Sequence, residues 1–295
     1  MKNIFVFIWL FLLPFYSYAD FKQGGFFDME IAQKSLKKAV GDVPTDLYNI
    51  ATTPFKNPVQ SLGYLGAVGA LVAVDKETTT FYQQSIEEPL DLYSLPTVIY
   101  DSPITHGADS WLVFGTVAHY LAGFTLGNEK SQVTSLLAMK SIGYSYAVSH
   151  VFLKTVTGRN RPKDDLTDCK ASGSAQWDTC DPFDFGNSRQ GYLKSHQKAS
   201  AMPSFHLTMY FSLAKVYQEM YDNYLIPYSV LAVIFSSGIK GHQHWVSDMV
   251  AGGIVGTFIG NQVISSYRDK EGDGSGFSVM PVQDGIGLSY TYNFN

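Results

Sequence analysis

The stretch Gly241-His242-Gln243-His244-Trp245-Val246-Ser247-Asp248 decides how the rest of the chain is interpreted. His244 and Asp248 are four residues apart, so on a helix, or at its start, their side chains share one face. The glycines that continue this face are Gly252, Gly256 and Gly260. Glycines at every fourth position let a neighbouring helix pack at close range. The sequence therefore predicts that Asp248 lies on a packed face of a helix.

A carboxylate on a packed face needs a partner, because an unpaired buried charge is costly. His244 stands at the right spacing to be that partner. An imidazole that is held and polarised by a carboxylate is a common way to prepare a base or a nucleophile. The alternative is a His–Asp pair in the core that only stabilises the helices. The rest of the chain decides between the two interpretations.

The composition of the 295-residue chain narrows the classes of protein it can be. Aromatic residues make up 15% and charged residues only 16% of the sequence, which suits a helical protein with a large core or one that touches a membrane. The formal net charge is −5, and the sequence contains no basic block. An acidic chain of this kind is a poor nucleic-acid binder, so no nucleic-acid partner is predicted.

Residues 1–19 have the pattern of a signal peptide. Lys2 supplies a short basic region, an apolar run follows over residues 4–15, and Ser17-Tyr18-Ala19 is a small-x-small cleavage site. We therefore expect an exported, periplasmic protein, with association with the inner or outer membrane as an open alternative. Export would expose Cys169 and Cys180 to an oxidising compartment, and their even count and close spacing favour one disulfide over a zinc site.

Apolar periodicity predicts an all-α fold, a bundle of about six core helices. These helices are expected at residues 58–74, 108–126, 130–157, 204–221, 226–239 and 246–267. We divide the chain into the signal peptide 1–19, an N-terminal segment 20–57 with an amphipathic helix at 30–40, the helical domain 58–270 and a tail 271–295. Residues 78–106 hold several turn formers, and we expect turns there.

Two further segments stand outside the predicted helices. Residues 163–200 form a polar stretch with both cysteines and His196, which is too long for a simple connector and is expected to border a site. After a glycine-rich link, residues 277–282 and 286–294 alternate with strand periodicity and predict a short hairpin. The alternative for this tail is an outer-membrane docking element. No segment after residue 19 is a clean apolar run of transmembrane length, although an integral membrane protein stays an alternative.

The chemistry-bearing residues fall into three separated groups. The first is Lys154 with Arg161, two cations near the end of a predicted helix. In the second, Pro203-Ser204-Phe205-His206, proline fixes a helix start whose exposed N–H groups bind phosphate oxygens well. The third is the His244–Asp248 pair. Taken one at a time, the cations could be solvated helix tips, and His206 could merely cap or pack.

In this order, the groups resemble the type 2 phosphatidic acid phosphatase superfamily, which includes vanadium haloperoxidases and bacterial class A acid phosphatases. The family pattern is Lys-x6-Arg-Pro, then Pro-Ser-Gly-His, then Ser-Arg-x5-His-x3-Asp. The sequence departs from it twice: Phe205 replaces the glycine of the second motif, and Gly238 replaces the arginine of the third. The resemblance extends over residues 108–267 and also fits the helix order.

The resemblance implies a phosphate cradle and no metal or other cofactor. Lys154 and Arg161 would neutralise the equatorial oxygens of a phosphoryl group, and Arg161 could bind two oxygens at once. Ser204 and the N–H groups near Phe205 would complete the cradle. The substrate would be a phosphorylated small molecule or lipid, with a lipid phosphate favoured.

The resemblance also implies roles for the two histidines. His244 would attack phosphorus and become a phosphohistidine, while Asp248 would orient its ring. His206 would protonate the leaving oxygen and then activate water.

Three alternatives to this interpretation stay open. A metal hydrolase could use His242, His244, Asp248 and His206 as ligands, but Lys154 and Arg161 would then have no explanation. A haloperoxidase would hold vanadate in the same cradle. A catalytically degenerate envelope protein would account for Phe205 and Gly238.

Because Gly238 stands where the family has an arginine, the cradle has one cation fewer. Two residues close in sequence could replace that cation. Lys240 is favoured, because Gly238 and Gly241 flank it and would let the backbone bend. Arg159, two residues before Arg161, is the second candidate.

Overall fold

The computed structural model describes residues 27–41, 43–90, 93–99, 107–170, 175–192, 197–237, 239–271, 276–282 and 285–291. The predicted signal peptide, His196 and Gly238 therefore lie outside the described residues.

The described chain is mainly helical, as the all-α prediction requires. The N-terminal helices are α1 (Met29–Val40), α2 (Val43–Lys56), α3 (Pro58–Ala73) and α4 (Asp75–Tyr82). α4 runs on through a π-helical turn, Gln83–Glu87, into a short helical turn, Glu88–Leu90. The remaining helices are α5 (Ser110–Thr125), α6 (Glu129–Ser145), α7 (Phe205–Tyr221), α8 (Leu225–Ser236) and α9 (Val246–Glu271). α6 continues as a π-helical segment, Tyr146–Leu153, and ends with Lys154–Thr157.

The core is built around α7, which packs against α6, α8 and α9. Its contact with α9 is the closest, because the glycines of α9 face the backbone of α7. A Cβ added at Gly252 would lie 2.5 Å from the Ser204 carbonyl oxygen, and one at Gly260 would lie 2.8 Å from that of Ser212. The glycine spacing therefore does what the sequence predicts: it brings the helix of Asp248 against a neighbour.

The N-terminal segment shares the core of the bundle. Asp28 caps α1 by accepting hydrogen bonds from the backbone N–H groups of Glu30 and Ile31, as residues at helix starts commonly do. Ala39 of α1 and Ile50 of α2 belong to the same hydrophobic cluster as the bundle helices. The region kept apart at 20–57 in the sequence thus contributes directly to the core.

Two stretches differ from the sequence prediction. Residues 78–90, expected to form turns, are helical, since Asp75 starts a new helix after a bend at Val74 and acidic residues stabilise a helix start. α8 ends at Ser236, not at 239. The Oγ of Ser237 accepts a hydrogen bond from the backbone N–H of Leu95 at 2.7 Å, and this bond holds Ser237 in an extended conformation.

The predicted hairpin is present in the tail. β1 (Gly276–Val282) pairs with β2 (Gly285–Thr291) in an antiparallel register that joins Gly276 to Thr291. The residues after 291, with the last two aromatic side chains, lie outside the described residues.

Candidate active site

The three sequence motifs are joined by direct hydrogen bonds to backbone carbonyls. The Arg161 Nη1 donates to the carbonyl of Gln243 at 3.1 Å, which joins the first motif to the third. The N–H of Ser204 donates to the carbonyl of Asp248 at 2.9 Å, which joins the second to the third. Residues that are up to ninety positions apart in sequence are therefore held at one end of the α6, α7 and α9 helices.

Lys154 lies where the π-helical segment of α6 returns to an α-helix, a type of irregularity that is frequent at functional sites. Its side chain is buried, with 1% of the residue exposed. Burial, followed by the charges of Arg161 and Arg189, lowers the pKa of Lys154 well below its usual value, and Asp248 opposes this shift. A buried ammonium group among other cations is a site that an anion would stabilise.

Arg161 is also buried, and its guanidinium is held by the loop that follows it. Its Nε donates to Ser200 Oγ at 3.3 Å. Burial lowers the pKa of Arg161 to about 10, while Asp248 and Asp178 raise it. The guanidinium therefore stays charged at neutral pH beside Lys154.

The third motif pairs His244 with Asp248 as the spacing predicts. Nδ1 of His244 lies 3.5 Å from Oδ2 of Asp248, and both side chains are fully buried. The same oxygen accepts the backbone N–H of Trp245 at 3.1 Å, which fixes the carboxylate at the start of α9. Burial raises the pKa of Asp248 to about 6, and Arg159 opposes that rise.

Arg159 supports this carboxylate, a role that sequence reasoning missed. Its Nη1 lies 2.7 Å from Asp248 Oδ1, and its Nη2 lies 2.8 Å from Asp75 Oδ2. Asp75 also accepts the N–H of Ser247 at 2.9 Å. The guanidinium further packs against the rings of Phe185 and Trp245, at 4.7 and 5.1 Å. Its charge is thus shared between two buried carboxylates.

One signal in the sequence could have identified Asp75. It is the first charged residue after the uncharged run 58–74, and such an acid next to an apolar helix needs a partner if it is buried.

The second motif places a hydroxyl and an imidazole at the start of α7. Ser204 stands at the N-cap position, and its Oγ is buried with no hydrogen-bond partner among the described residues. Phe205 is 2% exposed, so its ring lies in the core while its backbone opens the helix. Nε2 of His206 lies 3.1 Å from Oδ2 of Asp109, which also accepts the hydroxyl of Tyr210 through Oδ1. Burial raises the pKa of Asp109 to about 7, and Tyr210 opposes this.

The comparison with protein families agrees with this geometry. Residues 133–271 match the family model of the PAP2 superfamily. This region of the chain belongs to the PAP2 superfamily. Membership in this superfamily supports a hydrolase that acts on phosphate esters. Comparisons with curated proteins and with solved structures gave no significant match.

The PAP2 match covers all three motifs and the loop between the first two. That loop is held against the first motif by backbone hydrogen bonds: Thr179 donates to the Arg161 carbonyl at 2.9 Å, and Lys163 donates to that of Thr179 at 3.0 Å. Cys169 and Cys180 form the predicted disulfide. The loop also lines a polar cavity of about 490 Å³ whose wall includes Asn160 and Asp178.

Two residues were proposed to replace the cation that the PAP2 pattern has at position 238. Arg159 is engaged by Asp75 and Asp248, so its charge serves the third motif. Lys240 lies on the 3-10 turn Ile239–His242 and is exposed, unlike Lys154 and Arg161. Its role in phosphate binding stays a prediction.

Proposed function

We propose that this protein is a metal-independent phosphatase that hydrolyses a phosphate ester or pyrophosphate, with a lipid phosphate as the favoured substrate, through a phosphohistidine on His244. The observation that carries this proposal is the pairing of His244 with Asp248 next to Lys154 and Arg161. A carboxylate-polarised imidazole and two buried cations are the parts that phosphoryl transfer to a histidine requires.

In the first half-reaction, Nε2 of His244 attacks phosphorus as the bond to the leaving oxygen breaks. Asp248, whose Oδ2 lies 3.5 Å from Nδ1, orients the ring and stabilises the positive charge that develops on it. Lys154 and Arg161 neutralise the equatorial oxygens. His206 donates a proton to the leaving oxygen and becomes neutral.

In the second half-reaction, neutral His206 removes a proton from water, the water oxygen attacks phosphorus, and the phosphorus–nitrogen bond breaks. His244 is released neutral, and His206 is protonated again. Asp109, 3.1 Å from His206, is placed to stabilise the protonated form. The pair of Asp109 and His206 thus holds the proton that moves through both steps.

The surroundings of Asp248 support a mechanism without metal. Its two oxygens already accept Arg159 Nη1 at 2.7 Å and the Trp245 N–H at 3.1 Å. A guanidinium in contact with a carboxylate would repel a divalent cation at that carboxylate. Among the described residues, no group of three or more His, Cys, Asp and Glu side chains is arranged to hold a metal ion.

The surface of α3 supports a lipid substrate. The sequence Pro58–Ala73 has no charged residue, and Val59, Leu62 and Leu65 are 83%, 67% and 68% exposed. Gly63, Gly66 and Gly69 face open space as well, whereas Ser61 and Val68 are half-buried and Val72 is 7% exposed. A wide exposed surface without charge suits contact with lipid. α3 leads directly into Asp75, the residue that binds Arg159.

Other helices contribute less to the membrane proposal. Among the described residues, Val246–Asp269 is long and apolar enough to cross a membrane, and the bent pair formed by Pro58–Ala73 and Asp75–Leu90 would count as a second span. The first of these is part of α9, whose glycine face packs on α7. Packing on α7 therefore accounts for part of its apolar character. The Cys169–Cys180 disulfide supports an exported, periplasmic location.

A phosphate-release screen tests the proposed function. Lipid phosphates, isoprenoid pyrophosphates and soluble monoesters would be presented to the wild type and to His244→Ala, with and without EDTA. We expect release from a lipid phosphate that EDTA does not reduce and that His244→Ala abolishes. Loss of activity in EDTA would overturn the metal-independent mechanism, and no release from any class by the wild type would overturn the phosphatase.

The lipid preference has its own test. Leu62→Glu with Leu65→Glu places two charges on α3, far from any side chain of the proposed cradle in sequence. We expect this variant to lose co-sedimentation with phospholipid vesicles and to keep the hydrolysis of a soluble monoester. Unchanged vesicle binding would contradict the role of α3.

A further inference from the structure

The cradle of the proposed phosphatase needs a cation in place of the arginine absent at position 238. Arg159 is committed to Asp75 and Asp248, and Lys240 is exposed. A third cation lies on the loop between the first two motifs. This loop carries an arginine that sequence reasoning did not consider.

Arg189 reaches back from this loop to the helix that carries Lys154. Its Nη1 donates to the carbonyl of His150 in a close contact and lies 3.5 Å from that of Val151. Its guanidinium stacks on the ring of Tyr192, with 4.8 Å between the guanidinium carbon and the ring centroid. These contacts fix the guanidinium one helical turn before Lys154, on the same side of α6 as His150.

The hydrogen bonds of Arg189 leave part of its donor set unused. Its Nε is buried and has no acceptor among the described residues. Nε2 of His150 lies 2.7 Å from the carbonyl of Tyr192 and so carries a proton, which means that it cannot accept from Arg189 Nη2 at 3.0 Å. A half-buried guanidinium with unused donors is suited to an anion that supplies oxygens.

The charge of Arg189 reaches both cations of the first motif. It lowers the pKa of Lys154 and the pKa of Arg161 by electrostatic repulsion. Among the described residues, Arg189 has no ion pair with a carboxylate. Three cations that repel one another would be relieved by a bound phosphoryl group.

We propose that Arg189 is a phosphate-binding residue of this site and supplies, from the loop at residues 163–200, the charge that the third motif lacks at Gly238. It would contact an equatorial oxygen of the phosphoryl group together with Lys154 and Arg161. This inference rests on the proposed phosphatase function.

The position of Arg189 explains why the cradle tolerates Gly238. A guanidinium delivered from a loop can approach the same oxygens from the other side of the site, because the equatorial oxygens of a phosphoryl group point in three directions. Phe205 packs its ring 5.2 Å from that of His150, so the larger residue in the second motif also lies against the helix turn that binds Arg189.

The test compares Arg189→Ala, Arg189→Lys and the control Arg268→Ala. Arg268 is 43% exposed and pairs with Glu219. On the substrate that the screen identifies, we expect Arg189→Ala to lower kcat/KM by about 100-fold, the usual cost of one lost donor to a transition-state oxyanion. Arg189→Lys keeps the charge but lacks the paired N–H donors of the planar guanidinium, so its kcat/KM should fall about tenfold. Arg268→Ala should behave as the wild type.

A second readout separates phosphate binding from a structural role. Inorganic phosphate raises the Tm of a protein that binds it. We expect the wild type, Arg189→Lys and Arg268→Ala to show this rise, and Arg189→Ala to show little of it while its Tm without phosphate stays near that of the wild type. If Arg189→Ala proves too unstable to measure, Arg189→Lys carries the test through its tenfold loss and its retained response to phosphate.

The outcomes distinguish this inference from the proposed function. A wild type that neither hydrolyses phosphate esters nor responds to inorganic phosphate would overturn both. A wild type that does both, with an Arg189→Ala variant that matches it in kcat/KM and in its response to phosphate, would overturn the role of Arg189 alone.

Discussion

Arg159 Nη1 lies 2.7 Å from Oδ1 of Asp248, and both side chains are fully buried. This contact keeps a carboxylate ionised in a place where burial alone favours its protonated form. The other oxygen of Asp248 faces His244 at 3.5 Å. Arg159 thus holds the carboxylate that pairs with the histidine of the third motif.

We predict that Arg159→Gln moves the acid limb of the kcat–pH profile to higher pH. Asp248 must be ionised to polarise His244, its pKa is raised to about 6, and Arg159 is the first of the influences that lower it. Removing the cation leaves Asp75 and Asp248 buried without it, so the free energy of unfolding should also fall by about 3–5 kcal/mol. The measurement is a pH–rate profile together with denaturant unfolding.

A substitution of Asp75 should shift the acid limb of the kcat–pH profile in the opposite direction. Asp75 raises the pKa of Asp248, so Asp75→Asn should move the acid limb to lower pH. Arg268→Gln serves as the control for losing an arginine at an exposed site. Acid limbs that coincide in the wild type, Arg159→Gln and Asp75→Asn would disconnect Asp248 from catalysis.

The glycine face of α9 gives a prediction about stability with a matched control in the same helix. A Cβ at Gly256 would collide with the carbonyl oxygen of Thr208, whereas one at Gly253 would lie 3.6 Å from the ring of Phe211. We expect Gly256→Ala to lower the free energy of unfolding by about 1–3 kcal/mol. Gly253→Ala should be neutral or stabilising by about 0.5–1 kcal/mol, since alanine favours helix more than glycine does. Equal effects at the two positions would argue against the close contact of α9 with α7.

Asp109 gives a prediction about pH dependence. Asp109→Asn removes the carboxylate beside His206, so protonated His206 loses stabilisation and the alkaline limb of kcat should move to lower pH. Asp46→Asn is the control, because Asp46 is buried against Lys140 and Tyr144 instead. An alkaline limb that Asp109→Asn leaves in place would remove Asp109 from the proton transfer.

The same substitution has a consequence for stability. Burial raises the pKa of Asp109 from 3.8 to about 7, so the folded state binds this proton more tightly than the unfolded state does. The resulting stabilisation is complete below pH 3.8 and is lost as the pH rises through about 7. Because asparagine does not titrate, the Tm of the wild type relative to Asp109→Asn should decline over that range. A constant difference in Tm would contradict the raised pKa.

Removal of the disulfide should affect both stability and the loop. Cys169 and Cys180 are 11 residues apart, and replacing both with serine should lower the free energy of unfolding by about 2–4 kcal/mol, mainly by freeing the unfolded chain. Thr179, next to Cys180, binds the Arg161 carbonyl, so KM should rise more than kcat falls. Two titratable thiols in the native protein would contradict this prediction.

Much of the site could be predicted from the sequence, because its residues follow short-range spacing. The i, i+4 relation of His244 and Asp248 and the glycines after them are properties of one helix. The three motifs are likewise local, and their order identified the fold class. The disulfide required only the count and spacing of the cysteines.

The residues that the sequence did not reveal act over long separations. Asp75 and Asp109 come from segments that precede the motifs by dozens of residues, and only the packing of α4 and α5 brings them to Arg159 and His206. Nothing in the neighbours of Asp109 distinguishes it from a solvated acid, and Asp75 stands out only as the first charged residue after the uncharged run 58–74. Lys240 and Arg159 were chosen as replacement cations because they are near in sequence, whereas the structure brings Arg189 to Lys154 from the middle of a loop.

The central claim is that His244 carries the phosphoryl group, and a trapped intermediate tests it most directly. p-Nitrophenyl phosphate has a leaving group that needs no proton, so in His206→Gln the first half-reaction should proceed while the second is slowed. Rapid quenching in base followed by mass spectrometry should then find an acid-labile phosphoryl group on His244, absent from His206→Gln with His244→Ala. A phosphoryl group on any other residue, or turnover by His244→Ala at the wild-type rate, would contradict the account.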